Sequence, residues 1–328
     1  MSTSYAPTEH SKRVILIDVA RGTALAAMVV YHFTWDLEFF GYVQQGLTAY
    51  GGWKMFARLI AGSFLFLVGV SLVLGHSDAI RWRSFAVRLA MIVAAAAAIT
   101  GVTVYAMPDR FIFFGILHNI AVSSILGLAF LRLPAIVSLA GAIIVLFGKV
   151  YFAAPVFNHW ALLWLGLSTD RVVSNDYVPV FPWFGVVLLG IGTAKIAKSA
   201  GLFTWLAAIY RSESRIGKPL AFAGRHSLAV YLLHQPVLIG LVYIASLVYP
   251  APAADPIASI TFSCNRVCSE DNPDGFCQRY CRCVAEGIVE ADLLDTLTTI
   301  QSSGEPDAEL RQITAACTAS AIEQGGSE

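Results

Sequence analysis

The chain of 328 residues is 57% hydrophobic and only 13% charged. Ordinary soluble domains carry about 25% charged residues, so this composition excludes a typical soluble protein. The net charge of zero conceals 18 basic and 9 acidic side chains in residues 1–250, against 4 and 13 in residues 251–328. Opposite charges on two parts of one chain indicate two different surroundings. The basic residues lie in loops between apolar blocks, which argues against binding to nucleic acid.

The apolar residues before position 250 come in blocks of about 20, the length that crosses a hydrocarbon core about 30 Å thick. Two shorter apolar stretches, Trp160–Leu167 and Leu202–Tyr210, are expected at the membrane interface. The predicted fold is all-α: a polytopic transmembrane helix bundle with a small disulfide-stapled helical C-terminal module. The seven predicted spans are 14–35, 56–75, 86–107, 111–131, 134–153, 178–197 and 221–249, and the predicted domains are 1–250 (transmembrane), 251–263 (linker) and 264–328 (acidic and cysteine-rich).

Lysine and arginine are distributed unevenly between the two sets of predicted loops, and this bias predicts the orientation. The N-terminal segment and every second loop carry eleven, whereas the alternate loops carry five. The richer set is Lys12, Arg13, Arg81, Arg83, Arg88, Arg132, Lys195, Lys198, Arg211, Arg215 and Lys218, and the poorer set is Lys54, Arg58, Arg110, Lys149 and Arg171. We expect the protein among the lipids of a bacterial inner membrane, with a cytoplasmic N-terminus and a periplasmic cysteine-rich module.

All the cysteines lie after residue 263, on the side that is predicted to be oxidising, and an even number there is typical of a disulfide framework. Two cysteines four residues apart lie on each side of the turn Asp271–Gly275, and this spacing predicts a helical hairpin. The last cysteine is expected to join a later helix, at Ala291–Ile300 or Asp307–Ala319, to that hairpin. Fifteen pairings are possible. Zinc is the alternative, but C-x2-C spacing and nearby histidines are missing from the sequence, so no metal is expected. The cysteines are Cys264, Cys268, Cys277, Cys281, Cys283 and Cys317.

Charged residues lie near the inner ends of the first and seventh predicted spans. An ionisable side chain inside a span costs about 2.5–3.5 kcal/mol, so it needs a partner, water or a function. Asp18 and Arg21 are three residues apart and face the same way, and Arg225 and His226 lie at a similar depth. Two arginines suit phosphates, which a guanidinium binds through two parallel hydrogen bonds. The alternatives are a structural ion pair for Asp18 and Arg21, and snorkelling to the interface for Arg225.

Three histidines lie deeper in the predicted spans. His32 and Asp36 are four residues apart, and a carboxylate beside an imidazole raises its basicity, as a general base requires. His118, followed by Asn119, lies at a depth similar to that of His32, and His234 lies near the middle of the seventh span. One outward-facing chamber is expected to contain His32 and His118. The alternative for His32 is an interfacial histidine beside an aromatic belt. Such a set suits an acyltransferase, a transporter with a proton relay, or a structural bundle.

Several segments in one order distinguish between these classes. Arg13–Gly22, with Met28, lies in the first span and Phe64–Ser71 in the second. Gly224–His234 in the seventh span carries glycine, serine, tyrosine and histidine in that order, and Gly115–Asn119 and Phe181–Gly185 lie between these segments. The chain resembles the heparan-alpha-glucosaminide N-acetyltransferase-like membrane proteins over roughly residues 13–245. The cysteine-rich extension is not part of that family pattern.

The resemblance implies a many-helix fold that takes an acetyl group from cytoplasmic acetyl-CoA and delivers it to a sugar on the far side. In eukaryotic members the catalytic histidine lies in the loop after the first helix. The corresponding loop here, Glu38–Trp53, contains no histidine, so His32 is the nearest substitute. The expected catalytic residues are His32, Asp36, His118 and His234, and the expected CoA-binding residues are Asp18, Arg21, Arg225 and His226.

The expected acceptor is a glycan or lipid-linked sugar of the cell envelope. A proton-coupled transporter or flippase for a polar metabolite is the alternative from another class, although we find no internal repeat of the kind such proteins show. A third hypothesis is a non-catalytic membrane anchor for the cysteine-rich module. The acidity of that module suggests an envelope protein as a partner.

Overall fold

Long apolar segments fold into helices here because lipid offers no hydrogen-bond partners to the backbone, so each amide must pair within its own helix. The structure is a computed structural model that describes residues 14–76, 79–209, 216–253, 255–269, 272–294 and 308–325. Among these residues, six helices are long and apolar enough to cross a membrane, and they indicate a multi-pass membrane protein. They are α1 (Ile15–Phe39), α2 (Gly51–His76), α3 (Trp82–Ala106), α5 (Ala135–Phe152), α6 (Val180–Ser199) and α9 (Ser227–Val248).

The remaining helices of the apolar region are shorter. The fourth predicted span is α4 (Ile116–Leu131), and α7 (Leu202–Ile209) and α8 (Gly217–Arg225) precede α9. The all-helical fold is confirmed, but two predicted spans are wrong in extent. The segment 111–131 begins its helix only at Ile116, and the segment 221–249 is broken at His226 into α8 and α9. Lys12, Arg13, Arg211 and Arg215, which contributed to the predicted orientation, lie outside the described residues.

The first break has a cause in the backbone before α4. Phe114 forms an isolated parallel bridge with Tyr177, and the Val178 N–H donates to the Phe114 carbonyl at 3.0 Å. The Asn175 N–H donates to the Arg110 carbonyl at 2.9 Å. The amides before α4 therefore bond to the segment that leads into α6 instead of forming another helical turn.

Glycines allow two pairs of helices to approach closely. A Cβ atom on Gly69 of α2 would overlap the Val187 carbonyl of α6, and one on Gly190 would overlap the Phe66 carbonyl. Likewise, a Cβ on Gly22 of α1 would overlap the carbonyl of Leu220 in α8. Small residues at such crossings bring membrane helices into backbone contact, which compensates for the weak hydrophobic driving force in lipid.

Proximity of Cα atoms divides the chain into two compact units, which are residues 1–30 with 56–237, and residues 31–55 with 238–328. The first unit has a continuous core between α2, α4, α5 and α6, with Leu65, Val187, Leu188 and Ile191 almost completely buried. The boundaries at 250 and 263, which divide the chain by composition, stay a prediction.

The second unit contains the cysteine-rich module, which is built from α10 (Pro256–Cys268), α11 (Asp274–Glu290) and α12 (Ala308–Gly325). The predicted disulfide framework is confirmed, so the cysteines are not zinc ligands. The hairpin α10–α11 and the link from Cys317 to it are as predicted, whereas Asp271 and most of Ala291–Ile300 lie outside the described residues. The pairs are Cys264–Cys281, Cys268–Cys277 and Cys283–Cys317.

The same unit includes the loop between α1 and α2. The Gln44 side-chain amide donates to the Ala258 carbonyl of α10 at 3.0 Å. The guanidinium of Arg266 lies over the Tyr50 ring, 3.6 Å from its centre. The module therefore packs on the loop that follows the predicted catalytic helix.

Candidate active site

Three segments of the sequence pattern meet in the first unit. Asp18 is 3% exposed, and its Oδ1 lies 3.5 Å from a guanidinium nitrogen of Arg21. The other terminal nitrogen of Arg21 donates to the Ser71 hydroxyl of α2. A Cβ on Gly224 would overlap the Asp18 carbonyl, so the end of α8 lies directly on α1. The structure thus brings together the first, second and last of these segments.

Arg225 and His226 follow Gly224 at the break between α8 and α9. Both side chains are exposed. The His226 Nδ1 lies 3.0 Å from the Phe222 carbonyl, and its ring stacks at a tilt on Phe222 with 4.5 Å between centroids. The sequence placed both residues at the level of Asp18, and the contact of Gly224 with Asp18 agrees with that placement. Their exposure leaves them accessible to a ligand from outside the bundle.

His118 lies in a closed local network at the start of α4. Its Nδ1 accepts from the Gly115 N–H at 3.2 Å, so the ring proton is on Nε2, which lies 3.3 Å from the Thr100 hydroxyl. That hydroxyl donates onward to the Ile112 carbonyl at 2.6 Å. Both ring nitrogens are used, so His118 fixes the turn into α4 and joins it to α3. This geometry suits a positioning residue.

Asn119, the neighbour of His118, is fully buried. Its amide nitrogen donates to the carbonyls of Val178 and Pro179, each at 3.0 Å. Its oxygen accepts from the Ser123 hydroxyl at 2.7 Å. The side chain therefore satisfies the backbone ahead of α6, where the chain is not helical and cannot satisfy itself.

Asp176 was not among the sequence-based candidates. Its Oδ2 accepts from the Ile116 N–H at 2.9 Å, at the N-terminus of α4, and Gly115 leaves the space for that carboxyl. The carboxyl also lies near enough to the Tyr231 phenol for an electrostatic interaction. Burial raises the pKa of Asp176 from 3.8 to about 6, although the Ile116 hydrogen bond opposes the rise. An acidic residue directly before an apolar run was the signal available in the sequence.

The surroundings of His234 determine which of its ring nitrogens carries the proton. Its Nδ1 lies 2.6 Å from the Tyr231 carbonyl, one turn earlier in α9, and donates to it. The basic lone pair is then on Nε2. The Tyr231 and His234 rings are 5.7 Å apart. Among the described histidines of the first unit that were predicted to be catalytic, His234 has the tautomer that a general base needs.

His32 and Asp36 belong to the second unit. Asp36 is fully buried, and His32 is partly buried with its ring edge-on to Tyr31 at 5.6 Å. Two residues later, the Glu38 carboxylate accepts from the Gly46 N–H at 2.6 Å and from the Thr48 N–H at 2.9 Å. Glu38 therefore shapes the loop after α1, a role that the sequence did not indicate.

Within the part of the chain that the structure describes, no three His, Cys, Asp or Glu side chains are grouped as a metal site would require. The site chemistry that the described side chains offer is acid–base and cationic.

A family model described as "Heparan-alpha-glucosaminide N-acetyltransferase, catalytic" matches residues 13–236, about two thirds of the chain. The match ends before the cysteine-rich module. No curated protein and no solved structure matches the chain. The contacts of Arg21, Ser71 and Gly224 lie inside the matched region. The resemblance predicted from short motifs is thus confirmed, and the chain belongs to this family of membrane acyltransferases.

Proposed function

We propose that this acyltransferase transfers an acetyl group from cytoplasmic acetyl-CoA to a hydroxyl or amine of a cell-envelope glycan or lipid-linked sugar. The observation that carries the proposal is the family match over residues 13–236, whose first, second and last motifs are in contact. The family's acetyltransferase description supports acetyl-CoA as the donor.

The reaction needs one base and one group that steadies negative charge. The acceptor O–H or N–H attacks the thioester carbonyl carbon, and a base takes its proton. The C–S bond then breaks, and the departing thiolate takes up a proton. Proton transfer by a placed side chain is worth about 10²–10⁴ in rate.

We assign the base to His32, oriented by Asp36, as the spacing of four residues along α1 supports. In the first unit, we propose His234 as a catalytic histidine, because its Nδ1 is held by the Tyr231 carbonyl and its Nε2 can accept a proton. Protonated on Nε2, it would stabilise the oxyanion of the tetrahedral intermediate. His118 positions the start of α4.

Arg225 and His226 are proposed to contact the donor, because both are exposed beside the motif contact at Gly224. Arg21 already donates hydrogen bonds to Asp18 and Ser71. Its proposed role is therefore to hold α1 against α2, near the contact of Gly224 with α1. A guanidinium is suited to CoA phosphates because it binds two phosphate oxygens at once.

The test uses the full-length protein in detergent with acetyl-CoA. The wild type is expected to bind acetyl-CoA and to hydrolyse it slowly, water replacing the sugar. His32→Ala is expected to reduce hydrolysis at least 100-fold while binding persists, and Arg225→Ala to weaken binding. His159→Ala, a histidine of the loop before α6, is the matched control and is expected to retain both. Unchanged binding and hydrolysis in both variants would overturn the proposal.

A further inference from the structure

A narrow pocket lies in the first unit between the C-terminal end of α2, the start of α3 and the middle of α4. Its empty space, including the open mouth, is about 350 Å³. Apolar side chains form its walls, and four polar residues, Ser71, His76, Arg88 and Ser124, face it. By the distribution of lysine and arginine, this end of the bundle is the one predicted to be cytoplasmic.

The charged side chain among the described residues that line this pocket is basic, and a second arginine lies nearby. Arg81 and Arg88 lie close enough to the His76 imidazole to interact with it electrostatically. The Arg81 Nε donates to the Gly75 carbonyl at 3.1 Å, so this arginine neutralises the end of α2. None of the residues that line the pocket is acidic.

Arg88 differs from Arg81 and Arg21 in its partners. Within the described ranges, no carboxylate pairs with it, and no hydrogen bond is made by its guanidinium. Arg21, by contrast, is bound to Asp18 and to Ser71, and Ser71 lines the pocket.

The Ser71 and Ser124 hydroxyls donate their protons to the Leu67 and Ile120 carbonyls. Because the His76 Nδ1 accepts from the Arg81 N–H at 3.3 Å, the donors that the pocket offers a ligand are the Arg88 guanidinium and the His76 Nε2–H.

The cavity volume of the pocket is about 30 Å³, which is more than the 10–15 Å³ or so that one water needs and leaves room for a small polar group. A purine ring does not fit there. A group of that size, bearing negative charge and several acceptor oxygens, matches the donors of one arginine and one imidazole. Phosphate is the biological group with these properties.

We propose that Arg88, with His76, binds a phosphate group of the acyl donor in this pocket, which Ser71 and Ser124 also line. This inference rests on the proposed function, and it adds a donor subsite on α2, α3 and α4 that is distinct from Arg225 and His226. An anionic lipid headgroup has the same chemistry, and the experiment separates the two sources.

The experiment measures the Kd of the full-length protein in lipid-free detergent for acetyl-CoA and for acetyl-pantetheine, which lacks phosphate. Arg88→Ala is expected to raise the Kd for acetyl-CoA at least tenfold and to leave that for acetyl-pantetheine within twofold. Arg88→Lys is expected to raise the Kd for acetyl-CoA less than Arg88→Ala does. Arg83→Ala is the matched control, because Arg83 is exposed on the same helix and does not line the pocket.

A second arm measures phosphatidylglycerol retained after extraction, by native mass spectrometry. If Arg88→Ala sheds phosphatidylglycerol and binds acetyl-CoA as the wild type does, the phosphate is that of a lipid and the donor subsite is overturned. Equal acetyl-CoA binding and equal lipid in Arg88→Ala and the wild type overturn the phosphate site itself. A wild type that binds no acetyl-CoA contradicts the proposed function instead, and the lipid arm then still tests the phosphate site.

Discussion

The carboxyl of Asp176 accepts a hydrogen bond from the Ile116 N–H at 2.9 Å, across 60 positions of sequence. This contact starts α4 at Ile116 and joins it to the segment ahead of α6. The neighbouring residue, Gly115, has no side chain, and a Cβ there would overlap the carboxyl oxygen. An acidic group at a helix N-terminus interacts favourably with the helix dipole.

The raised pKa of Asp176 predicts a pH-dependent stability. Its ionisation costs the folded state more than the unfolded chain, because the pKa rises from 3.8 to about 6 on folding. The wild type should therefore lose stability as the pH rises from about 4 to about 6, by at most about 3 kcal/mol. Asp176→Asn keeps the acceptor for Ile116 and should be at least as stable as the wild type at pH 8. Thermal unfolding in detergent from pH 4 to pH 8 measures this.

Asp109→Asn is the control for that experiment, because Asp109 is exposed in a loop near the start of α4. It should leave the pH profile of the melting temperature unchanged. An Asp176→Asn variant that melts well below the wild type at pH 8 would contradict the assignment.

The contact between Gly224 and the Asp18 carbonyl predicts a specific intolerance to a methyl group. Gly224→Ala should destabilise the protein by about 1–3 kcal/mol, since backbone must move to make room. Gly101→Ala in α3 is the control, because nothing lies within 4 Å of a Cβ there. That substitution should be neutral or stabilising by about 0.5–1 kcal/mol. Melting temperatures of the two variants in the same detergent compare them, and equal destabilisation would argue against the crossing of α1 and α8.

Much of the helical architecture follows from local sequence. A run of apolar residues long enough to cross a bilayer identifies α2 or α5 without knowledge of its neighbours, and the crowding of cysteines after residue 263 identified the disulfide framework. The features that sequence did not reveal depend on distant partners. The extended backbone before α4 exists because Tyr177 and Val178 pair with Phe114, and the role of Asp176 depends on Ile116. The spacing of apolar residues along the chain does not predict contacts between segments that are distant in sequence.

The candidate residues divide in the same way. Asp18 and Arg21 were paired correctly from their spacing, but Ser71 completes that contact from 50 positions away. His118 was among the expected catalytic residues, and the structure places its two ring nitrogens against Gly115 and Thr100. A single sequence identifies a histidine in an apolar run, and only the surrounding fold identifies what the ring bonds to.

The disulfides should contribute unequally to the stability of the cysteine-rich module. Cys283 and Cys317 are separated by 34 positions, and Cys268 and Cys277 by 9. Chain entropy of the closed loop predicts losses of about 4 kcal/mol and about 2.5 kcal/mol when each pair is replaced by serine. Denaturant unfolding of the module's helices, with non-reducing peptide mapping to verify the remaining pairs, measures both losses. A greater loss from the Cys268–Cys277 pair would contradict this order.

Arg266 should couple the cysteine-rich module to the loop between α1 and α2. Its guanidinium covers the Tyr50 ring at 3.6 Å, so Arg266→Ala should increase hydrogen exchange in residues 40–50 at least tenfold. Arg282→Ala is the control, because Arg282 is exposed on α11 and pairs only with Glu286 among the described carboxylates. Exchange that stays unchanged in Arg266→Ala would show that the module does not hold this loop.

The account depends most on the claim that the acetyl donor enters from one face of the bilayer only. The direct measurement is consumption of radiolabelled acetyl-CoA by proteoliposomes in which the protein has one known orientation, fixed by protease access to the cysteine-rich module. We predict consumption when the label is offered on the face opposite that module, and at most background when it is offered on the module's own face. Equal consumption from both faces, or consumption from the module's face alone, would contradict the account.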